Sequence, residues 1–301
     1  MHLTINLTKK ILPWYDNNKR TLPWRVSKNS KKKLYYRLLS EFMLQQTQVK
    51  TVIPYFKKFI KKHKTLKSFS KCSEEEILKL WEGLGYYRRA RNLLATSKIL
   101  VKKYDSKLPK SVEKIKDLPG VGDYTTNALL ALVLNKPVIA LDGNVKRVFS
   151  RILNKNDSDI DFKKLIKINE EKLLKSKRNS DFVEAIMEFG ALICKPKDPK
   201  CSVCCLNNSC KYFKSSKKIT TKENKMIKKM NYDIFCYLNR NKQIALTKKS
   251  KISFLKNFNL PKIKETKKRI KDKNWKFLKN YNNSISNLKM NINLYYRFSN
   301  K

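Results

Sequence analysis

The chain is poor in histidine, glycine and acid. Two histidines, His2 and His63, occur in 301 residues, which argues against a Ser-His-Asp hydrolase, a His-rich metal site or a histidine general base. No stretch approaches the roughly 18 to 20 consecutive apolar residues of a membrane span, and the start, MHLTINLTKKILPWYDNN, lacks a signal-peptide core and cleavage site. A soluble, cytoplasmic, nucleoid-associated monomer is therefore expected. Acidic residues number 24 against 70 lysines and arginines, a net charge of +46, yet 41% of the chain is apolar. That is enough to fill one large core or two smaller ones, so the chain is not a disordered basic tail. The charge favours a polyanionic partner. Most of the excess is lysine, alongside abundant asparagine and isoleucine, all residues with A/T-rich codons, so charge permits nucleic-acid binding without proving it.

From residue 1 to about 213 the periodicity is helical. Tyr35–Ile60 reads as helix with a boundary or kink near Pro54, because proline removes a backbone donor. Ser73 and Glu76 ahead of Ile77, Leu80 and Trp81 have the form of a capping box, and that helix should stop near Gly83-Leu84-Gly85. Further helices are expected over Arg88–Lys103, Tyr124–Leu134 and from Asp142 through Leu153. Past Cys210 the character changes: residues 211–301 hold 26 basic and 4 acidic side chains. The organisation expected is a helical domain over 1–213, a basic linker over 214–230 and a small α/β module over 231–301. In the last, YDIFCYL and QIALTKK read as strands joined by a turn at Asn239–Lys242.

Four of the seven cysteines follow the pattern Cys194-x6-Cys201-x2-Cys204-x5-Cys210. Four thiols in so short a segment can surround a metal centre, and both zinc and an iron–sulfur cluster use all-thiolate sites. Cys205 could replace Cys204, while Cys72 and Cys236 read as packed thiols. The segment Leu118-Pro119-Gly120-Val121-Gly122 makes a tight turn between two helices, and the free N–H groups opening the second helix suit a phosphate. Asp142 reads both as a helix N-cap and as an acid with a second role. Glu41 is out of pattern in LLSEFML, on a face shared with Leu38, Leu44 and Gln45. A carboxyl buried there has its pKa raised by desolvation and becomes a proton donor near neutral pH; a glutamate at a helix edge is the alternative.

Taken in order, SEFMLQQTQV, WEGLGYYRRARNL, LPGVGDYTTNA, LDGNVKR and the cysteine pattern resemble the helix-hairpin-helix DNA glycosylases that carry a 4Fe–4S cluster, and among them the adenine DNA glycosylases of the MutY family. The resemblance runs from about Trp14 to Cys210. It implies a mainly α, two-lobed fold with an iron–sulfur cluster loop at 194–210, held by Cys194, Cys201, Cys204 and Cys210. It implies removal of adenine mispaired with 8-oxoguanine or guanine in double-stranded DNA. Glu41 matches the acid that protonates the adenine ring, Asp142 the carboxylate that stabilises the oxocarbenium-like sugar, and Tyr124 and Asn144 their neighbours. Gln46 and Tyr86 match residues that wedge into the duplex or contact the opposite base. Trp24, Arg25 and Glu184 match the adenine pocket, and Gly120, Val121 and Gly122 the phosphate-binding hairpin. Endonuclease III-like relatives place a Schiff-base lysine where this chain has Tyr124, so a monofunctional enzyme is expected, with Lys146 the amine nearest Asp142 in sequence. An endonuclease III-like pyrimidine-damage glycosylase/lyase and a catalytically decayed iron–sulfur DNA-binding protein are the competing readings. The C-terminal stretch is similar to the start of a Nudix-like domain, shortened. Its best counterpart of the family's Phe-Ser-His loop is Ile285-Ser286-Asn287, and no histidine follows His63, so selectivity for the oxidised base is expected to be weak.

Overall fold

Helix is the dominant regular structure from Leu7 to Lys214 in the computed structural model, which describes residues 3–4, 6–219, 228–247, 252, 259–266, 274–285 and 288–298. Two units separate, Met1–Thr221 and Lys222–Lys301. The first carries α1 (Leu7–Asn18), α2 (Lys33–Leu44), α3 (Val49–Lys62), α4 (Leu66–Ser70), α5 (Glu74–Trp81), α6 (Arg88–Tyr104) and α7 (Val112–Lys116). It continues with α8 (Asp123–Leu134), α9 (Gly143–Leu153), α10 (Phe162–Ile168), α11 (Glu170–Leu173), α12 (Asn179–Leu192) and α13 (Lys211–Lys214). None of the described helices is long and apolar enough to cross a membrane.

Local chemistry sets these boundaries. Ser73 caps α5 by accepting from the Glu76 N–H at 3.1 Å, and Asp142 caps α9 by accepting from the Val145 N–H at 2.7 Å, each satisfying a donor that the first turn leaves free. Asn135 ends α8 in the left-handed conformation that asparagine tolerates. Apolar faces then gather into two cores. Leu38, Phe42, Phe56, Phe59 and Trp81 centre one, built by α2 to α6; Leu7, Ile11, Phe149, Phe182 and Phe189 centre the other, built by α1, α9 and α12. Ala128, Ala131 and Leu132 of α8 form a third cluster with Ala140 and Val183. The expected two-lobed helical fold is thus present.

Pro54 does not break the chain. It lies inside α3 as its sixth residue, where it removes the bond an N–H would make to the Lys50 carbonyl without ending the helix. The break comes earlier, at Gln45–Gln48, where the Arg89 guanidinium takes the carbonyls of Phe42, Met43 and Gln45.

The second unit is a four-stranded mixed sheet of β1 (Lys228–Leu238), β2 (Lys262–Thr266), β3 (Lys276–Ile285) and β4 (Leu288–Phe298), in the order β2-β1-β4-β3. β1 and β4 run parallel, and the outer pairs are antiparallel. Tyr232, Phe235, Cys236, Met290 and Tyr295 are its buried apolar side chains among the described residues, with Asp233 and Asn293 buried beside them. Among the described residues this unit has strands and no helix, so of the expected α/β module the structure shows the sheet. β1 begins at Lys228, inside the stretch expected to be linker. Of the expected strand QIALTKK, Gln243–Thr247 make only isolated bridges, at Ile244 and Thr247, with Ile244 and Leu246 exposed, and Lys248 and Lys249 lie outside the described residues. Ser286 and Asn287, from the expected recognition loop, lie outside the described residues.

Gly120 sits at φ +77°, and a Cβ there would come within 2.7 Å of Asn92 Nδ2 and 2.9 Å of Phe42 Cε1. Gly122 has φ −96° and open space around it. Gly120→Ala should therefore cost about 1–3 kcal/mol in urea unfolding, while Gly122→Ala should leave the midpoint almost unchanged.

Candidate active site

A cavity of about 850 Å³ opens between the two cores of the first unit, lined by Glu41 of α2, Tyr124 of α8, the loop residue Asp142, Asn144 of α9 and Glu184 of α12. Trp24, Arg25 and Gln46 also line it. Eight of the sequence-derived candidates thus converge from segments spread between residues 24 and 184.

Glu41 is buried because α2 is buried on every side from Leu34 to Met43. Loss of water lifts its carboxyl to about 7, against the pull of the Arg37 guanidinium and the Tyr124 hydrogen bond. Burial also raises the Tyr124 phenol, and the neighbouring Glu41 charge adds to it. Asp142 is treated differently. Burial raises it too, but its Oδ1 accepts from the Val145 N–H at 2.7 Å and its Oδ2 from the Asn144 amide at 2.9 Å. Those donors favour the charged form. The arrangement sets a carboxyl that holds its proton near neutral pH beside one whose charge is supported, a division suited to proton donation and cation stabilisation.

The floor of the cavity is an arginine–glutamate network. Glu184 accepts from Tyr15 Oη at 2.7 Å and from Arg25 Nε at 3.4 Å, and it pairs with Arg37. Burial would raise Glu184, but Arg37 and Arg25 outweigh it and hold the carboxylate below its ordinary range. Glu188, one turn on, takes both ends of the Arg20 guanidinium at 2.7 and 2.8 Å and Arg25 at 3.0 Å. The same balance brings it down to about 2. Arg37, Glu188, Arg20 and Tyr15 escaped the sequence reading. The available signal was the i, i+4 spacing of Arg37 with Glu41, and of Glu184 with Glu188 in the apolar run VEAIMEFG.

Some candidates lie elsewhere. Tyr86 is outside the lining, 43% exposed at φ +50°. Gly120, Val121 and Gly122 form the turn between α7 and α8, away from the cavity. Lys146 does not face the cavity: its ammonium lies 5.6 Å over the Phe162 ring.

Cys194, Cys201, Cys204 and Cys210 line one small cavity with Arg151, Tyr212 and Phe213, and Cys205 packs instead against the second core. Four thiols around one cavity are a donor set that fits an iron–sulfur cluster and that zinc also uses. Arg147 and Arg151 of α9 tie this loop down, Arg147 donating to the Cys194 carbonyl at 2.8 Å and to Asn144 Oδ1 at 2.7 Å. Arg151 donates to the Pro196 carbonyl at 2.9 Å and to Cys194 Sγ at 3.4 Å.

Residues 39–176 match the family described as HhH-GPD superfamily base excision DNA repair protein. The adenine DNA glycosylase of Buchnera aphidicola subsp. Baizongia pistaciae is 39% identical over 258 residues, covering 84% of this chain and 72% of that protein. The adenine DNA glycosylase of Homo sapiens is 36% identical over 208 residues, 67% of this chain and 38% of that one. The chain thus spans between about two fifths and three quarters of these relatives. A thermostable thymine-DNA glycosylase structure superposes with a TM-score of 0.60 at 29% identity, over 69% of this chain and 94% of that one. A non-covalent endonuclease III–DNA complex shares the fold at a TM-score of 0.54 and 22% identity, over 68% of this chain and 92% of that one.

Because burial raises Glu41 from 4.5 to about 7, its contribution to stability is complete below about pH 4.5 and is lost as pH rises through about 7. Glu41→Gln removes a group that must ionise at a cost. Its Tm should exceed that of the parent by on the order of 3 °C at pH 8, with the gap closing at pH 5; thermal melts at the two pH values check this.

Proposed function

The chain belongs to the adenine DNA glycosylase family, in the HhH-GPD superfamily of base excision DNA repair proteins, and from that membership we propose that it hydrolyses the N-glycosidic bond of adenine mispaired with 8-oxoguanine or guanine in double-stranded DNA. The observation that carries the reading is the pair of unlike carboxyls in one cavity, Glu41 lifted to about 7 and Asp142 held by two donors.

The duplex is too narrow to admit these groups, so the adenine must leave the stack, with Gln46 and Tyr86 taking its place or contacting the opposite base. The extruded base enters beside Trp24, Arg25 and Glu184. Glu41 gives its proton to the purine ring, the C1′–N9 bond breaks, and its electron pair goes to the base, which departs as neutral adenine. The Asp142 carboxylate faces the positive charge left on the sugar, and Asn144 holds it there. Tyr124 keeps the Glu41 carboxyl oriented. Water adds at C1′, and its proton returns to Glu41. Gly120, Val121 and Gly122, with the start of α8, would grip a backbone phosphate. Tyr124 stands where a lyase would need an amine, so the product is an intact abasic strand.

The four cysteines 194, 201, 204 and 210 would hold a 4Fe–4S cluster by thiolate ligation, supplying a covalent tie for the basic loop between them. In this reading it acts as a monomer on nucleoid DNA, and the net charge of +46 favours binding to that polyanion.

A single-turnover assay on 8-oxoguanine·A, G·A and thymine-glycol·A duplexes, with and without alkali, tests the reading. Breakage at adenine that depends on alkali is expected, with the two adenine substrates cleaved within about tenfold of each other. Glu41→Gln should lower base release roughly 10³-fold while sparing DNA binding. Direct nicking at thymine glycol, or full activity of Glu41→Gln, sinks the proposal. Cys201→Ser should lower iron content and visible absorbance together, and unchanged iron would refute the cysteine assignment.

A further inference from the structure

Arg89 opens no cavity and touches none of the carboxyls, yet it is the most heavily bonded cation among the described residues. Only 8% exposed, it faces no carboxylate. Its Nη1 donates to the carbonyls of Phe42 at 3.2 Å, Met43 at 2.8 Å and Gln45 at 2.5 Å, and to Thr47 Oγ1 at 3.1 Å. Its Nη2 donates to the carbonyls of Leu84 and Gly85, each at 3.1 Å. Burial brings Arg89 down to about 10, so it stays cationic at neutral pH. The compensating charge is that of carbonyl dipoles, chiefly the open C-terminal end of α2.

These acceptors belong to two places, the end of α2 with the turn that follows it and the loop between α5 and α6. The first holds Gln46 at φ +57° and the second Tyr86 at φ +50°, conformations that cost of order 1–3 kcal/mol unless the surroundings impose them. Both residues are solvent-facing. The guanidinium also lies 5.4 Å over the Trp81 ring and 5.4 Å over the Tyr86 ring, and Trp81 Nε1 donates to the Gly85 carbonyl at 3.0 Å. A planar fork can serve both loops at once, whereas an ammonium has too few donors to do so.

We infer that Arg89 is a positioning residue that locks the Gln46 loop and the Tyr86 loop into one rigid unit, so that both side chains are presented together to a duplex when its base is extruded. The inference rests on the reading of Gln46 and Tyr86 given under Proposed function. Arg89 acts on extrusion and not on bond cleavage, which separates it from Glu41 and Asp142.

The test compares single-turnover base release from a paired adenine with release from an adenine unpaired in a bulge, where little extrusion work remains. Arg89→Met and Arg89→Lys should slow the paired substrate at least tenfold and the unpaired one less than about threefold. The midpoint of the pH–rate profile should not move, because Glu41 is untouched. In a Glu41→Gln background, the fluorescence rise of 2-aminopurine placed beside the target should shrink in the Arg89 variants. Should Arg89→Met fail to fold, Thr47→Val removes one acceptor and should slow the paired substrate alone by about threefold. Equal slowing of both substrates, or none, overturns the inference. Absence of adenine release and of any fluorescence rise in the parent protein would instead overturn the glycosylase reading, and this inference with it.

Discussion

A helix buried over its whole circumference depends on its neighbours for partners to the polar groups it takes inside, and α2 is such a helix from Leu34 to Met43, with Tyr35 Oη and Arg37 Nε left without a hydrogen bond. Its polar groups organise the catalytic unit. Arg37 pairs with Glu184 of α12; Ser40 turns back to the Arg37 carbonyl at 3.0 Å; Glu41 meets Tyr124 of α8; and the terminal carbonyls meet Arg89 of α6. The three partners outside α2 come from three different helices. Satisfying one buried helix therefore draws together the elements that line the cavity and those that carry the exposed Gln46 and Tyr86.

Desolvation alone would push every carboxyl in this region the same way, and the donors around each one decide the outcome. Glu184 and Glu188 are held ionised by three arginines, whereas Glu41 has one phenol and a single nearby guanidinium and stays close to neutrality. The carboxyls of one cavity are thereby shifted in opposite directions, Glu41 and Asp142 upward and Glu184 and Glu188 downward. Although the chain carries a formal charge of +46, little of it enters this balance, because most of the lysines stand in solvent where screening weakens them.

The path from Asp142 to the cysteine loop is short: Asp142 holds Asn144, Asn144 holds Arg147, and Arg147 holds the Cys194 carbonyl. Gly190 adds to the same join, since a Cβ there would come within 2.7 Å of Asn144 Cβ, and its carbonyl accepts from Arg147 at 2.7 Å. The loop is thus fastened to the helix that carries the site rather than hung beside it.

Motif residues whose roles depend on local geometry were legible in the sequence: Asp142 as a cap, Gly120 as a positive-φ turn, Ser73 as a helix start, Glu41 as a charge in an apolar run, and four cysteines at fixed spacing. Each of these signals is confined to a few neighbouring positions. Contacts between distant segments were not. Nothing within the α2 sequence marks Arg37 for Glu184, and nothing near Gln45 shows that Arg89, 44 residues on, ends the helix there in place of Pro54. The strand over Tyr232–Leu238 was readable from its own pattern, while the short apolar alternation of Gln243–Thr247 gave no sign that it would make only isolated bridges. The sequence by itself determined which residues could cap, turn, ligate or donate a proton. The tertiary structure decided which carboxyl keeps its proton and where the helices stop, because burial and long-range partners set those energies.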